Sequence, residues 1–163
     1  MTMLGILGGA ALAATLALPA VAATPTPKQF VAKAGASDLF EQREARIMSG
    51  TANADVGKFA KQMLTDHSKS TEMVKSAAKD DKLTPAAPML SAKQAKDIAA
   101  LGKAKGKARD TLYVTQQKAA HAEALALMQD YAANGTAEHL KETAGKIVPV
   151  VQSHIDMLDK MSQ

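Results

Sequence analysis

The chain contains no cysteine. That excludes a disulfide framework, a thiolate metal site, a cysteine nucleophile and a lipid-bearing cysteine. Tryptophan is absent as well, and only three phenylalanines and two tyrosines occur among 163 residues. So few flat rings leave little surface on which bases could stack. The net charge of +4, with a pI near 9.3, is mild. No nucleic-acid-binding module accompanies it, so no nucleic-acid partner is expected. The charge does suit contact with an anionic envelope or membrane surface. Also missing are a Ser–His–Asp order with supporting turns, a phosphate loop and a nucleotide fingerprint. No catalytic residue is assigned, and a non-enzymatic protein is expected.

Long apolar runs are scarce, with one exception. Residues 1–27 carry no charged side chain, and Met3–Ala23 is almost wholly apolar. The run ends in Ala20-Val21-Ala22, a small-x-small cleavage pattern, although only the amino terminus supplies positive charge ahead of it. Residues 1–23 are read as a secretory signal, with an uncleaved N-terminal anchor as the rival. About twenty apolar residues can span a bilayer, but Gly5, Gly8, Gly9 and Pro19 make a poor permanent span. An exported protein follows, periplasmic or associated with the cell envelope. Residues 24–27, TPTP, form a stiff spacer. Residues 28–163 form one domain, long enough for a sizeable core.

What the domain does have is alanine, leucine, lysine and methionine in the spacing of amphipathic helices. A first helix runs from Lys28 to Met48 or Ser49, with Gly50 as a left-handed cap. A second starts behind Asn53 or Asp55 and ends near Lys79. Asp80–Pro88 holds two prolines and cannot remain helical. Ser91 with Gln94 makes a capping box for a short helix over 91–101. The stretch 102–106, GKAKG, interrupts the chain before a long helix over Lys107–Tyr131. Asn134-Gly135 ends that helix in a left-handed turn. A last helix begins at Thr136 and is bent at Pro149, which removes one hydrogen bond to Gly145. The simplest packing is an all-α, antiparallel four-helix bundle with a short extra helix before the third and a kinked last helix.

One feature of these stripes is unusual. The long helix Lys107–Tyr131 places Asp110, Val114, Gln117, His121, Leu125 and Met128 on one face. Half of that face is polar, and a buried polar group must find a partner. The other helices offer partners: Glu41 on the first, His67 on the second with Asp66 at the edge of its stripe, and His154 on the last.

The segments FVAKAGASDLFEQREARI, FAKQMLTDHSKS, RDTLYVTQQKAAHAEAL and IVPVVQSHIDMLDKM resemble, in content and order, the domain of unknown function 4142 family of exported bacterial proteins. The resemblance spans roughly residues 28–161 and implies a ferritin-like bundle. It implies no reaction. The family's recurring positions fall on Glu41, Asp66 with His67, Asp110 with Tyr113 and His121, and Pro149 with His154.

Glu41, His67, His121 and His154 are therefore the candidate site, with Asp66, Asp110, Tyr113 and Gln117 in support. One reading is a buried hydrogen-bond network that fixes helix register. A second is a mononuclear site for a divalent metal such as zinc or iron, which requires all four residues at one level. A third is a pH-responsive switch built on the three core histidines. The Glu-x-x-His signature of di-iron bundles does not occur, which disfavours a dinuclear iron centre. His139 is expected on the surface. Met157 and Met161, one turn apart, could suit copper(I), but methionine more often fills helical cores. The cations Lys103, Lys105, Lys107 and Arg109 could hold a phosphate or lipid head group, although such runs are commonly just solvated.

Overall fold

Side-chain caps set where most helices begin. The computed structural model describes residues 23–161, so all of the predicted leader but Ala23 lies outside the described residues. Helix α1, Pro27–Met48, opens with a capping box: Thr26 Oγ1 accepts from Gln29 N, and Gln29 Oε1 accepts from Thr26 N. Pro27 sits at the first helical position, where its missing N–H costs nothing. Part of the TPTP spacer is thus a cap. Helix α2, Ala54–Asp80, is capped by Asn53 Oδ1, which accepts from Asp55 N and Val56 N. Ser91 and Gln94 form the predicted capping box of α3, Ala92–Lys103. Helix α4 is Gly106–Asn134 and α5 is Glu138–Lys160. The first turn of α5 is capped from outside the helix: the Asp81 carboxylate accepts from His139 N and Leu140 N.

Two glycine expectations are corrected. Gly50 does not adopt a left-handed conformation, and α1 ends through Ser49 in a right-handed one. Gly135 has φ −59° and ψ 146°, which is extended. It is needed for close approach instead, because a Cβ there would stand 2.5 Å from the Tyr131 carbonyl oxygen. The interruption falls inside the expected stretch 102–106, at extended Ala104, and Gly102 itself stays helical. Among the described residues only Lys82 (φ 58°) and Gly106 (φ 52°) are left-handed. Pro149 lies inside α5, which continues through it. Both Pro149 and Gly145 face solvent, where water can serve the carbonyl that the proline leaves free.

All described regular structure is helical. The most extensive contacts pair α1 with α2 and α4 with α5. Helix α2 also packs on α5, and α1 on α4, so the four long helices close a ring. Helix α3 lies outside it, against α1 and α4. No helix among the described residues is long and apolar enough to cross a membrane.

Inside the ring are two apolar clusters. One joins Phe30 and Ala34 of α1 to Ala77 and Ala78 of α2, Met128 and Tyr131 of α4, and Leu140 and Ile147 of α5. Phe30 and Tyr131 stack there with centroids 3.9 Å apart. The other joins Met48, Phe59, Met63, Leu101, Tyr113 and Leu158. The start of α1 thus meets the end of α2, and the end of α1 meets its start. Met48, Met63 and Met128 are buried in these clusters, the role in which methionine fills irregular cores. Between the clusters, every long helix contributes polar side chains to one buried layer.

Candidate functional site

The layer is made by interruptions of the apolar stripes at matching depths. Helix α1 supplies Asp38, Glu41 and Glu44; α2 supplies His67; α4 supplies Gln117 and His121; α5 supplies His154. Glu41, Glu44, Gln117 and His121 are fully buried, and His154 is 1 % exposed. Because the two clusters clamp the helices above and below, four residues far apart in the chain stand at one level.

Four of their atoms face one another. His67 Nε2 lies 2.7 Å from Glu41 Oε2. His121 Nε2 lies 3.4 Å from the same oxygen and 3.2 Å from His154 Nδ1. One ligand nitrogen from each of the three imidazoles falls within 4.8 Å of the other two. The other oxygen of Glu41 accepts from the Ser37 hydroxyl at 2.9 Å.

The outer nitrogen of each histidine is held by an acceptor that cannot donate. His67 Nδ1 donates to Asp38 Oδ1 at 2.9 Å, and Asp38 is held in turn by the Thr71 hydroxyl. His121 Nδ1 donates to the Gln117 carbonyl at 2.9 Å. His154 Nε2 donates to Asp66 Oδ2 at 2.9 Å. These partners fix the tautomers, since carboxylates and carbonyls only accept. In neutral His121 and His154 the proton is then on the outside. Their inner nitrogens turn lone pairs toward each other across 3.2 Å.

The electrostatics divide the three rings. Burial and the charge of His67 hold His121 below the usual imidazole range, although Glu41 pulls the other way. Burial lowers His154 to about 4, against the hydrogen bond to Asp66. His67 is different. Burial opposes its charge, but Glu41 and Asp38 outweigh burial and push it up to about 10. Burial would raise Glu41, yet the charges of His67 and His121 bring it down to about 2. The 2.7 Å contact of His67 with Glu41 is an ion pair lying off the N–H axis, so neither atom makes a well-aligned hydrogen bond.

The predicted residues fall into four groups. Glu41, His67, His121 and His154 come together. Asp66 holds His154 with its side chain, whereas Gln117 meets His121 only through its main-chain carbonyl and turns its side chain to Glu44. Tyr113 borders the layer: its ring is 6.2 Å from that of Phe59, and burial with the charges of Glu41 and Glu44 raises its hydroxyl well above the normal range. Asp110 is corrected. It is half-buried and accepts from the Thr51 hydroxyl at 2.6 Å, near the turn between α1 and α2, outside the histidine layer. His139 is exposed as expected and pairs with Asp81. Lys103, Lys105 and Lys107 are exposed, and Arg109 is partly buried.

Sequence reasoning missed Asp38 and gave Glu44 no role. Burial raises Glu44 to about 8, against the hydrogen bond from Gln117 Nε2. The signal was available: Asp38, Glu41 and Glu44 recur at intervals of three, which puts all three acids on one side of a helix.

The arrangement suits a small cation. A tetrahedral shell with metal–ligand distances of about 2.0–2.1 Å has edges of about 3.3 Å. Three of the six donor–donor contacts, at 2.7, 3.4 and 3.2 Å, bracket that edge, and the imidazole nitrogens all lie within 4.8 Å of one another. Outer hydrogen bonds that orient each imidazole are the usual support of histidine metal ligands.

The fold is similar to two solved structures. One is a DUF305 fragment from Deinococcus radiodurans, with a TM-score of 0.72 and 16% identity, covering 85% of this chain and 96% of that one. The other is a DUF305 protein from Streptomyces coelicolor, named provisionally as secreted, with a TM-score of 0.70 and 14% identity, covering 83% and 90%. At such identity the likeness is one of fold. No curated protein matches the chain. A family model does, over residues 12–161, and by that match the chain belongs to the family described as Domain of unknown function (DUF4142).

Proposed function

We propose that this chain is an exported helical protein that binds one divalent cation of the zinc type through Glu41, His67, His121 and His154. The observation that carries the reading is three imidazole nitrogens within 4.8 Å of one another beside Glu41 Oε2, with the outer nitrogens of His121 and His154 bonded to acceptors, a tautomer that turns two lone pairs inward. Two neutral nitrogens 3.2 Å apart repel each other, and burial disfavours protonating either ring. A cation between them removes the repulsion. It would also take the place of the proton that His67 holds against Glu41. Three imidazoles and one carboxylate are a borderline donor set suited to zinc. The donors are almost fully buried, which fits a closed, non-catalytic site. Asp38, Asp66 and the Gln117 carbonyl orient the rings.

The ring of helix contacts supports reading α1, α2, α4 and α5 as an antiparallel four-helix bundle of the ferritin-like kind, bent at Pro149. In this reading residues 28–163 are the bundle domain. Residues 24–27 connect it to a leader, residues 1–23, that is removed on export. The apolar leader pattern and the secreted naming of one structural relative support an envelope or periplasmic location.

His67 favours a second reading. An imidazolium between Asp38 and Glu41 is a complete ion triad without metal, and it could serve only to fix helix register. Tag-free protein, stripped with a chelator, separates the two. Zinc, iron(II), manganese and copper are each added, and bound metal and melting temperature are measured. The metal reading expects one ion per chain and added stability of about 2.7 kcal/mol at a hundredfold excess over Kd. It expects both effects to vanish in His121→Ala. Substoichiometric metal and an unmoved melting temperature would leave the ion triad as the layer's purpose.

A further inference from the structure

Asp66 differs from the groups it supports. The side chains of Glu41 and His121 are fully buried, and those of His154 and His67 are 1 % and 7 % exposed. The Asp66 side chain is 27 % exposed, yet it touches His154 Nε2 at 2.9 Å. It therefore connects water to the layer through one side chain.

A cavity of about 20 Å³ lies beside that contact, bordered by Asp38, Asp66, His67, Val150 and His154. One water-sized sphere occupies roughly 10–15 Å³, so the space admits a single small particle. Its rim holds two carboxylates and two of the candidate ligands. Val150, at its outer edge, is 41 % exposed. It follows Pro149, which has no N–H to bind the preceding turn of α5. This part of the α2–α5 seam is therefore less firmly tied than an unbroken helix.

The opposite side offers more room but a worse route. A groove of about 960 Å³ between α1 and α4 reaches toward the layer at Ser37 and Phe40. Phe40 is only 3 % exposed and presents a hydrocarbon wall there. Asp97, Glu123 and Asp130 also line that groove, so the difference lies at its inner end, where a hydrated cation meets the Phe40 wall instead of a carboxylate in contact with a ligand.

We infer that the cation enters and leaves through the α2–α5 seam, caught by Asp66 and passed beneath Val150 to the imidazoles. The inference rests on the metal-binding reading and adds a path to it. Asp66 has two roles here: it orients His154 and it is the outermost negative charge on the way in.

Stopped-flow uptake of zinc by the stripped full chain, with release into a chromophoric chelator, tests the path. Val150→Trp is expected to slow uptake and release alike by about tenfold, because passage must then await a local opening. Kd stays the same. Val150→Ala should speed both. Asp66→Asn keeps an acceptor for His154 but removes the charge, so uptake slows about tenfold or less and becomes less sensitive to salt. Ala120→Leu, in the α1–α4 groove, should match the parent. Parental rates in both Val150→Trp and Asp66→Asn would overturn the seam path while zinc still binds. Slowed exchange in Ala120→Leu alone would move the path to the groove. A parent chain that takes up no zinc removes the metal reading, and the path with it.

Discussion

Around Phe30 and Tyr131 the four long helices meet through apolar surface, with the Tyr131 hydroxyl as a polar exception, whereas farther along the same helices they meet through three imidazoles and three carboxylates. The two regions have equal dryness and opposite chemistry. Apolar contacts are non-directional, and their loss scales with the area and volume removed. The histidine layer works by matched charges and aligned hydrogen bonds. Removing one member there strands the others in a place without water. The apolar cluster should therefore tolerate graded change, and the layer should not.

The sharpest way to break this contrast is Glu41→Ala. It deletes the carboxylate against His67 and leaves a cavity, and it should cost about 5 kcal/mol in urea unfolding. A cost near 1 kcal/mol would show that the layer is no more demanding than the cluster. Phe30→Ala removes the partner that stacks on Tyr131. It should cost about 3–4 kcal/mol while leaving metal uptake, measured by calorimetry, intact. Loss of uptake in that variant would show that the two regions are one cooperative unit.

The smallest expected effect is the response of the metal-stripped protein to pH. His67 is raised from 6.5 to about 10 and Glu44 from 4.5 to about 8, so above pH 6.5 the folded chain holds more protons than the unfolded one. Their stabilising contribution declines as pH rises through those folded values. His121 and His154 are lowered, the latter to about 4. Their contribution is complete above 6.5 and declines as pH falls toward 4. Glu41, lowered to about 2, adds to the acid loss below 4.5. Unfolding free energy should peak near pH 6.5 and fall on each side, on the order of 1 kcal/mol per pH unit. A flat profile from pH 5 to 9 would mean that water reaches the layer freely. Bound metal should flatten the alkaline limb by replacing the His67 proton.

Much of this architecture is legible in the residues. Helical periodicity marks all five helices, and the Asn53 and Ser91 caps are visible as local patterns. The four central side chains are legible for the same reason, since a charged or imidazole residue on an apolar stripe is conspicuous. Other features depend on the neighbours. Asp110 has the right spacing, but its level on α4 matches the turn at Thr51 and not the histidines. The spacing of Asp38 with Glu41 and Glu44 is legible, but its partners His67 and Thr71 on α2 are not. Gly135 looks like a left-handed stop, while its real constraint is the nearby carbonyl of Tyr131. Periodicity reports which side of a helix turns inward. It does not report which depth meets which.

The chain has no tryptophan, and its two tyrosines are both fully buried, one in each apolar cluster. Each end of the molecule thus carries its own intrinsic fluorophore, with the histidines lying between the two. Silencing one by exchange for phenylalanine leaves the emission of the other as an optical report on a single end. Ultraviolet light alone can then tell whether the ends melt together or in turn.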